Sequence, residues 1–300
     1  MDGNPASSQG GDPRISAVTK RKRGRLMSFL FSLAAAYLTA LVLLLIFEYR
    51  IIFIPSRGLD YTPKDARIPY EEVFLTTSDG VKIHGWWLPA GSRGKTVLHF
   101  HGNAGNIAGR LDWAVRLTRI GLNVFLLDYR GYGKSEGSPS EEGVYLDAVA
   151  AWEHLTTKRG VSPSDLIISG QSLGGGPAVE LASKKPCAGL VIESTFCSTR
   201  SLARDIPAYA LFLPFVPDRF RSLEKIGRLT VPVLVVHGDK DGLIPIDHGR
   251  RLFEAAREPK TFYVLKGADH NDWYQLDPDG YFSTWTRFVN RLPDASTGSH

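Results

Sequence analysis

The segment Gly170-Gln171-Ser172-Leu173-Gly174 holds a serine between two glycines in the pattern G-x-S-x-G. An apolar run over 166–169 precedes it and a helical stretch over 173–184 follows, so the pattern describes a sharp strand-to-helix turn. The glycines admit close backbone approach while the serine is held at the carboxyl end of the strand. The chemistry open to such a serine is acyl transfer. A serine hydroxyl is a weak nucleophile at neutral pH, so that chemistry demands a base and a group to orient the base. Two later loops offer them in the order acid, then histidine: His237-Gly238-Asp239-Lys240-Asp241-Gly242-Leu243-Ile244-Pro245 and Gly267-Ala268-Asp269-His270-Asn271-Asp272.

His270 is the base this reading selects. Of the eight histidines, His84, His99 and His154 fall inside expected strands or a helix, His300 is terminal, and His237 and His248 bracket the acid loop as competitors. Charge alone does not choose between Asp239 and Asp241, since one orients the imidazole while the other can bind backbone amides in the turn. Glu193 is a third, weaker candidate. An oxyanion needs backbone N–H donors, and in this order of elements they come from Leu173, after the nucleophile, and from Asn103 in the loop His101-Gly102-Asn103-Ala104-Gly105-Asn106.

The elements that must position these groups follow an alternating rhythm. Buried-strand runs are expected at 73–76, 81–88, 96–101, 123–128, 166–170, 188–193, 231–237 and 261–265. Helical stretches are expected at 108–119, 141–157 with Ser140 as cap, 173–184, 248–256 with Asp247 as cap, and 280–291. Strands alternating with helices predict an α/β fold: a mostly parallel eight-stranded sheet with helices on both faces. The proline- and aromatic-rich stretch 198–229 interrupts the rhythm as a short lid. Each candidate loop then lies past the carboxyl end of a strand, where open α/β sheets gather ligand-binding groups.

Residues 26–47 carry no charge over 22 positions, enough for a helix to span the hydrocarbon core at about 1.5 Å per residue. The run is longer than the apolar centre of a secretory signal, so an uncleaved transmembrane anchor is expected. The basic cluster Lys20, Arg21, Lys22, Arg23 and Arg25 before it favours a cytosolic N-terminus, with the remainder of the chain on the other side. The expected organisation is a disordered basic tail at 1–25, the anchor at 26–47, a membrane-proximal linker at 48–69, an α/β domain at 70–293 and a C-terminal tail at 294–300. That same cluster accounts for the net charge of +5, so no nucleic-acid partner is expected. Cys187 and Cys197 flank a strand-like run that separates them too far for a disulfide, and free thiols are expected. Gly133-Lys134-Ser135 lacks both the first glycine and the following helix of a phosphate-binding loop, and neither a cofactor nor a metal is expected.

From about residue 53 to 293 the chain resembles the BEM46-like branch of the α/β-hydrolase superfamily. The resemblance is carried by FIPSR at 53–57, HGNAGN at 101–106, DYRGYGKSEG at 128–137, GQSLGG at 170–175, HGDKDGLIP at 237–245 and DHND at 269–272. It implies Ser172 as nucleophile and His270 as base, and it selects Asp241 over Asp239 as the acid. It also implies an N-terminal membrane segment. The function expected on these grounds is a membrane-anchored serine hydrolase cleaving an ester, thioester or amide of a small-molecule or lipid acyl substrate. The alternative is a catalytically silent hydrolase fold serving as a membrane-tethered binding protein.

Overall fold

The structure, a computed structural model, describes residues 13–91, 94–272 and 274–293, the side chains of 13–20 aside. The first part of the expected basic tail, 1–12, and the expected C-terminal tail at 294–300 lie outside the described residues. The chain divides after Glu48 into two compact units.

Helix α1, Pro13–Ile52, makes up the first unit and continues a few residues past the division. It exceeds the expected span 26–47 at both ends. Nothing inside it stops a helix: there is no proline after its first residue, and the one glycine, Gly24, costs only about 1 kcal/mol relative to alanine. Residues 20–25, expected in a disordered tail, are therefore helical. Among the described residues α1 is the one helix long and apolar enough to cross a membrane, with a mean hydropathy of 2.5. Most of its apolar side chains are exposed, Met27 and Phe31 among them.

The second unit is built on β2 (Glu71–Thr76), β3 (Lys82–Leu88), β4 (Thr96–Phe100), β6 (Asn123–Asp128), β7 (Leu166–Gln171), β8 (Gly189–Glu193), β9 (Val233–Gly238) and β10 (Lys260–Leu265). They form one sheet in the order β10-β9-β8-β7-β4-β6-β3-β2. β3 pairs antiparallel with both β2 and β6, and the other pairs of the sheet are parallel. The continuous apolar runs of the inner strands follow from burial on both faces. Side chains alternate across a strand, so Phe125 and Leu127 enter one core with Leu98, Ile168, Ile192 and Val235. Val124 and Leu126 enter a second core with Val97, Ile167, Val191 and Leu234.

Five helices cover the sheet: α2 (Leu111–Arg119), α3 (Glu141–Glu153), α4 (Gly175–Lys184), α7 (Ile246–Ala255) and α8 (Pro278–Val289). The Ser140 side chain caps α3 at Gly143 N, as expected. Asp247 does not cap α7: the helix begins two residues earlier than expected, at Ile246 after Pro245, and places Asp247 within its first turn. The stretch 198–229 folds into α5 (Thr199–Arg204), α6 (Ser222–Ile226) and two short turns that start next to prolines. Phe220 pins it down. Its buried ring lies beside Phe53, Tyr145 and Phe196, over Gly176, where an added Cβ would come within 2.4 Å of the ring.

A two-stranded sheet was not foreseen. β1 (Ile54–Pro55) pairs in parallel with β5 (Ala104–Gly105), so the stretch expected to be a linker joins the body of the domain.

Candidate active site

Ser172 sits at the end of β7 with φ +52°, a left-handed conformation that only glycine adopts without strain. Two close approaches force it there. A Cβ on Gly170 would fall 2.1 Å from the Gly174 carbonyl oxygen, and one on Gly174 would fall 2.0 Å from that of Phe100. The chain then passes through a 3-10 turn, Ser172–Gly174, into α4. Thr195 Oγ1 donates to the Ser172 carbonyl at 2.6 Å and holds the bend from the β8 side.

The loops after β9 and β10 bring the other two expected residues to this serine. His270 Nε2 lies 3.1 Å from Ser172 Oγ, and His270 Nδ1 lies 2.8 Å from Asp241 Oδ2. Asp241 Oδ1 accepts from the N–H groups of Leu243 and Ile244, at 3.0 and 2.7 Å. Burial works against ionisation of Asp241. The hydrogen bonds from His237, His270 and Ile244 N–H outweigh it and hold the carboxyl well below the usual carboxylate range. Asp269 joins the two loops, since its Oδ1 accepts from Gly242 N and from His270 N, each at 2.8 Å.

The competing residues have other partners. Asp239 accepts from Gly267 N at 2.6 Å, the turn-binding task left open for one of the two aspartates. Glu193 points away from the serine and accepts from Tyr281 and Trp285; burial raises its carboxyl to about 7. His248 bonds Asp205 and accepts from Cys197 N. His237 is closer to the chemistry than expected: its Nε2 lies 2.8 Å from the Ile244 carbonyl and 3.4 Å from Asp241 Oδ2. Cys187 and Cys197 are free and buried. No cluster able to hold a metal occurs among the described residues.

The loop 101–106 passes the serine at Gly102, where an added Cβ would touch Ser172 Cβ at 3.4 Å. Among the described residues, Asn103 N–H donates to no other backbone group. The carbonyls of this loop are all the more firmly held. Asn103 O accepts from Ile54 N at 2.9 Å and from Tyr132 Oη at 2.7 Å, while His101 O accepts from Tyr129 Oη at 2.7 Å. Asp128 Oδ1 accepts from Ile107 N, and Asn106 Nδ2 donates to the Gly58 carbonyl at 2.6 Å. FIPSR and DYRGYG thus serve as the braces of this loop. The sequence displayed both motifs, but without a partner for either it showed no task for them.

A strand-turn-helix serine facing a histidine and an aspartate, on a mostly parallel sheet of this order, defines an α/β hydrolase. The family described as "Serine aminopeptidase, S33" matches residues 91–225. An uncharacterized protein of Mycobacterium tuberculosis is 37% identical over 250 residues, covering 81% of this chain and 87% of its own. The alpha/beta hydrolase domain-containing protein WAV2 of Arabidopsis thaliana is 31% identical over 281 residues, covering 83% and 89%. Among solved structures, the esterase Pf2001 of Pyrococcus furiosus superposes with a TM-score of 0.67 at 25% identity, over 80% of this chain and 99% of that one. The chain belongs to the α/β-hydrolase superfamily, and its likenesses support hydrolase activity of the esterase kind.

Proposed function

We propose that the protein is a membrane-anchored serine hydrolase that cleaves acyl esters or thioesters through an acyl-enzyme. The observation that carries this reading is the unbroken run of contacts from Ser172 Oγ through His270 to Asp241. Ser172 attacks the carbonyl while His270 Nε2 takes its proton. Asp241 fixes the imidazole with Nδ1–H toward the carboxylate and stabilises the imidazolium. The N–H groups of Leu173 and Asn103 receive the oxyanion, a contribution whose loss costs on the order of 100- to 1000-fold in rate per donor. His270 then protonates the leaving group, and water releases the acyl chain by the same path in reverse.

The likeness to the Pyrococcus furiosus esterase favours esters. The aminopeptidase description of the matching family keeps amides within reach of the same machinery. Helix α1 is the anchor. The resemblance to the BEM46-like branch supports it, the basic residues preceding the apolar run favour a cytosolic N-terminus, and tethering at a bilayer suits a lipid acyl substrate.

A fluorophosphonate probe tests the chemistry. The wild-type protein is expected to label and Ser172→Ala to stay unlabelled; equal labelling of the two overturns the assignment. Alkaline carbonate extraction tests the anchor, since release of the full-length chain from membranes overturns it.

A further inference from the structure

Arg110 closes the 3-10 turn Ile107–Arg110 that follows the oxyanion loop, and its charge has no counterpart. Among the described residues no carboxylate lies within ion-pair distance of it. Among the described residues its side chain makes one hydrogen bond, a long one from Nη1 to the Gly109 carbonyl at 3.4 Å, and its Nε is buried with no partner. The buried Arg130 is by contrast paired with both Asp79 and Asp147. A half-buried guanidinium whose Nε is buried without a partner is a cost to the fold.

Its position gives that cost a use. The point where a Gly102 side chain would sit lies 3.4 Å from Ser172 Cβ and 3.6 Å from Arg110 Nη2. One methyl-sized slot, kept open by the glycine, thus separates the guanidinium from the nucleophile. Arginine presents its N–H groups as a fork that matches two oxygens of a carboxylate or phosphate.

We propose that Arg110 anchors an anionic group of the substrate, a carboxylate or phosphate a few bonds from the scissile carbonyl. The proposal rests on the reading of Ser172 as nucleophile and narrows its substrates to acyl esters or thioesters bearing such a group. The neighbouring histidines do not compete for that anion. Burial, reinforced by the Arg110 charge against the pull of Asp128, lowers His101 to about 4, and His99 is lowered by burial and the same charge. Burial also pulls Arg110 itself down, opposed only by the phenols Tyr129 and Tyr274, with no carboxylate among its partners.

The test compares kcat/KM for matched pairs on the full-length protein in detergent. p-Nitrophenyl hemisuccinate is set against p-nitrophenyl 4-methylpentanoate, and 1-acylglycerol 3-phosphate against 1-acylglycerol. The wild-type protein is expected to favour the anionic member of at least one pair, and the pair that responds identifies carboxylate or phosphate as the anion. Arg110→Met is expected to lower turnover of that member by about 10- to 100-fold, the worth of a hydrogen bond to a charged group, with the neutral member within about twofold. Arg110→Lys is expected to recover part of the loss. An anionic-to-neutral ratio unchanged in Arg110→Met overturns the proposal. Calorimetric binding of hemisuccinate monoamide to Ser172→Ala, with and without Arg110→Met, reads the anchor without turnover. Should no ester turn over and no probe label Ser172, the catalytic reading fails, and this binding difference still decides Arg110.

Discussion

His237 Nε2 lies 3.4 Å from Oδ2 of Asp241, the same oxygen that meets His270 Nδ1 at 2.8 Å. That nitrogen also faces the Ile244 carbonyl at 2.8 Å. With acceptors on both sides, Nε2 carries the hydrogen, so His237 donates to the acid and to the turn that holds it. His237→Leu removes this donor and is expected to lower kcat/KM by about tenfold, the low end for a hydrogen bond to a charged group. The rate of fluorophosphonate labelling is expected to slow in parallel, and His237→Gln, which keeps an N–H donor, to lose less. Unchanged labelling in His237→Leu would show that Asp241 needs only its two backbone donors.

Strain at Ser172 makes a prediction of opposite sign for stability and activity. Ser172 holds φ +52°, which costs a non-glycine residue on the order of 1 kcal/mol. Ser172→Gly is expected to be inactive yet to melt about 2 to 4 °C higher than the wild-type protein, in line with a gain of about 1 kcal/mol at this chain length. Ser172→Ala keeps the strained backbone and is expected to gain nothing. Differential scanning calorimetry separates the two; an equal melting temperature for both variants would mean the bend is not strained.

Buried-strand runs and the strand-turn-helix pattern were legible because periodicity and glycine placement act locally. Strand ends fall within two residues of expectation for the same reason. Two things did not show. The choice of Asp241 over Asp239 depends on which carboxylate the β10 loop reaches, a distance no local pattern encodes; the family resemblance made that choice, and in the structure Asp241 Oδ2 lies 2.8 Å from His270 Nδ1. The braces from Ile54, Tyr129 and Tyr132 join segments tens of residues apart in sequence. Read alone, 48–69 has the look of a linker because its two-residue strand is too short for any period to register. Arg110 was passed over because a single arginine after a glycine-rich loop carries no pattern at all.

Glu193 sets a pH dependence of stability. Burial raises its carboxyl to about 7, from an ordinary 4.5. Between those values the folded chain holds a proton that the unfolded chain has lost, so stability falls as pH rises through the window and levels off above it. The displacement corresponds to at most about 3 kcal/mol. Glu193→Gln retains a partner for Tyr281 and Trp285 and removes the titration. Its melting temperature is expected to track the wild-type protein near pH 5 and to exceed it by several degrees at pH 8. Asp147, raised by burial to about 6, adds a slope of the same sign to both proteins, so the difference between them is the quantity to follow. A difference that stays constant from pH 5 to pH 8 would count against a titrating Glu193.

The chain's two units predict where it can be cut. The second unit begins at Tyr49, and Phe53, 2% exposed, is part of its core. Ile54 N–H then holds the Asn103 carbonyl at 2.9 Å, and Ser56 N–H holds that of Gly105 at 3.1 Å. Removing residues 1–48 is expected to abolish membrane association and leave esterase turnover within about twofold. Removing residues 1–58 takes away both the Phe53 anchor, worth about 3 to 5 kcal/mol by analogy with buried Phe-to-Ala changes, and the strand beside the oxyanion loop. That protein is expected to be unstable. Ile54→Pro isolates the brace, since proline lacks the N–H that reaches Asn103 while remaining compatible with an edge strand. It is expected to lower kcat by about tenfold, with a melting temperature within a few degrees of the wild-type protein, because the Asn103 N–H contributes only while the residue, held through its carbonyl, keeps that N–H turned toward the serine. Full turnover in Ile54→Pro would leave Tyr132 as the sole brace of that peptide, and Tyr132→Phe would then carry the whole effect.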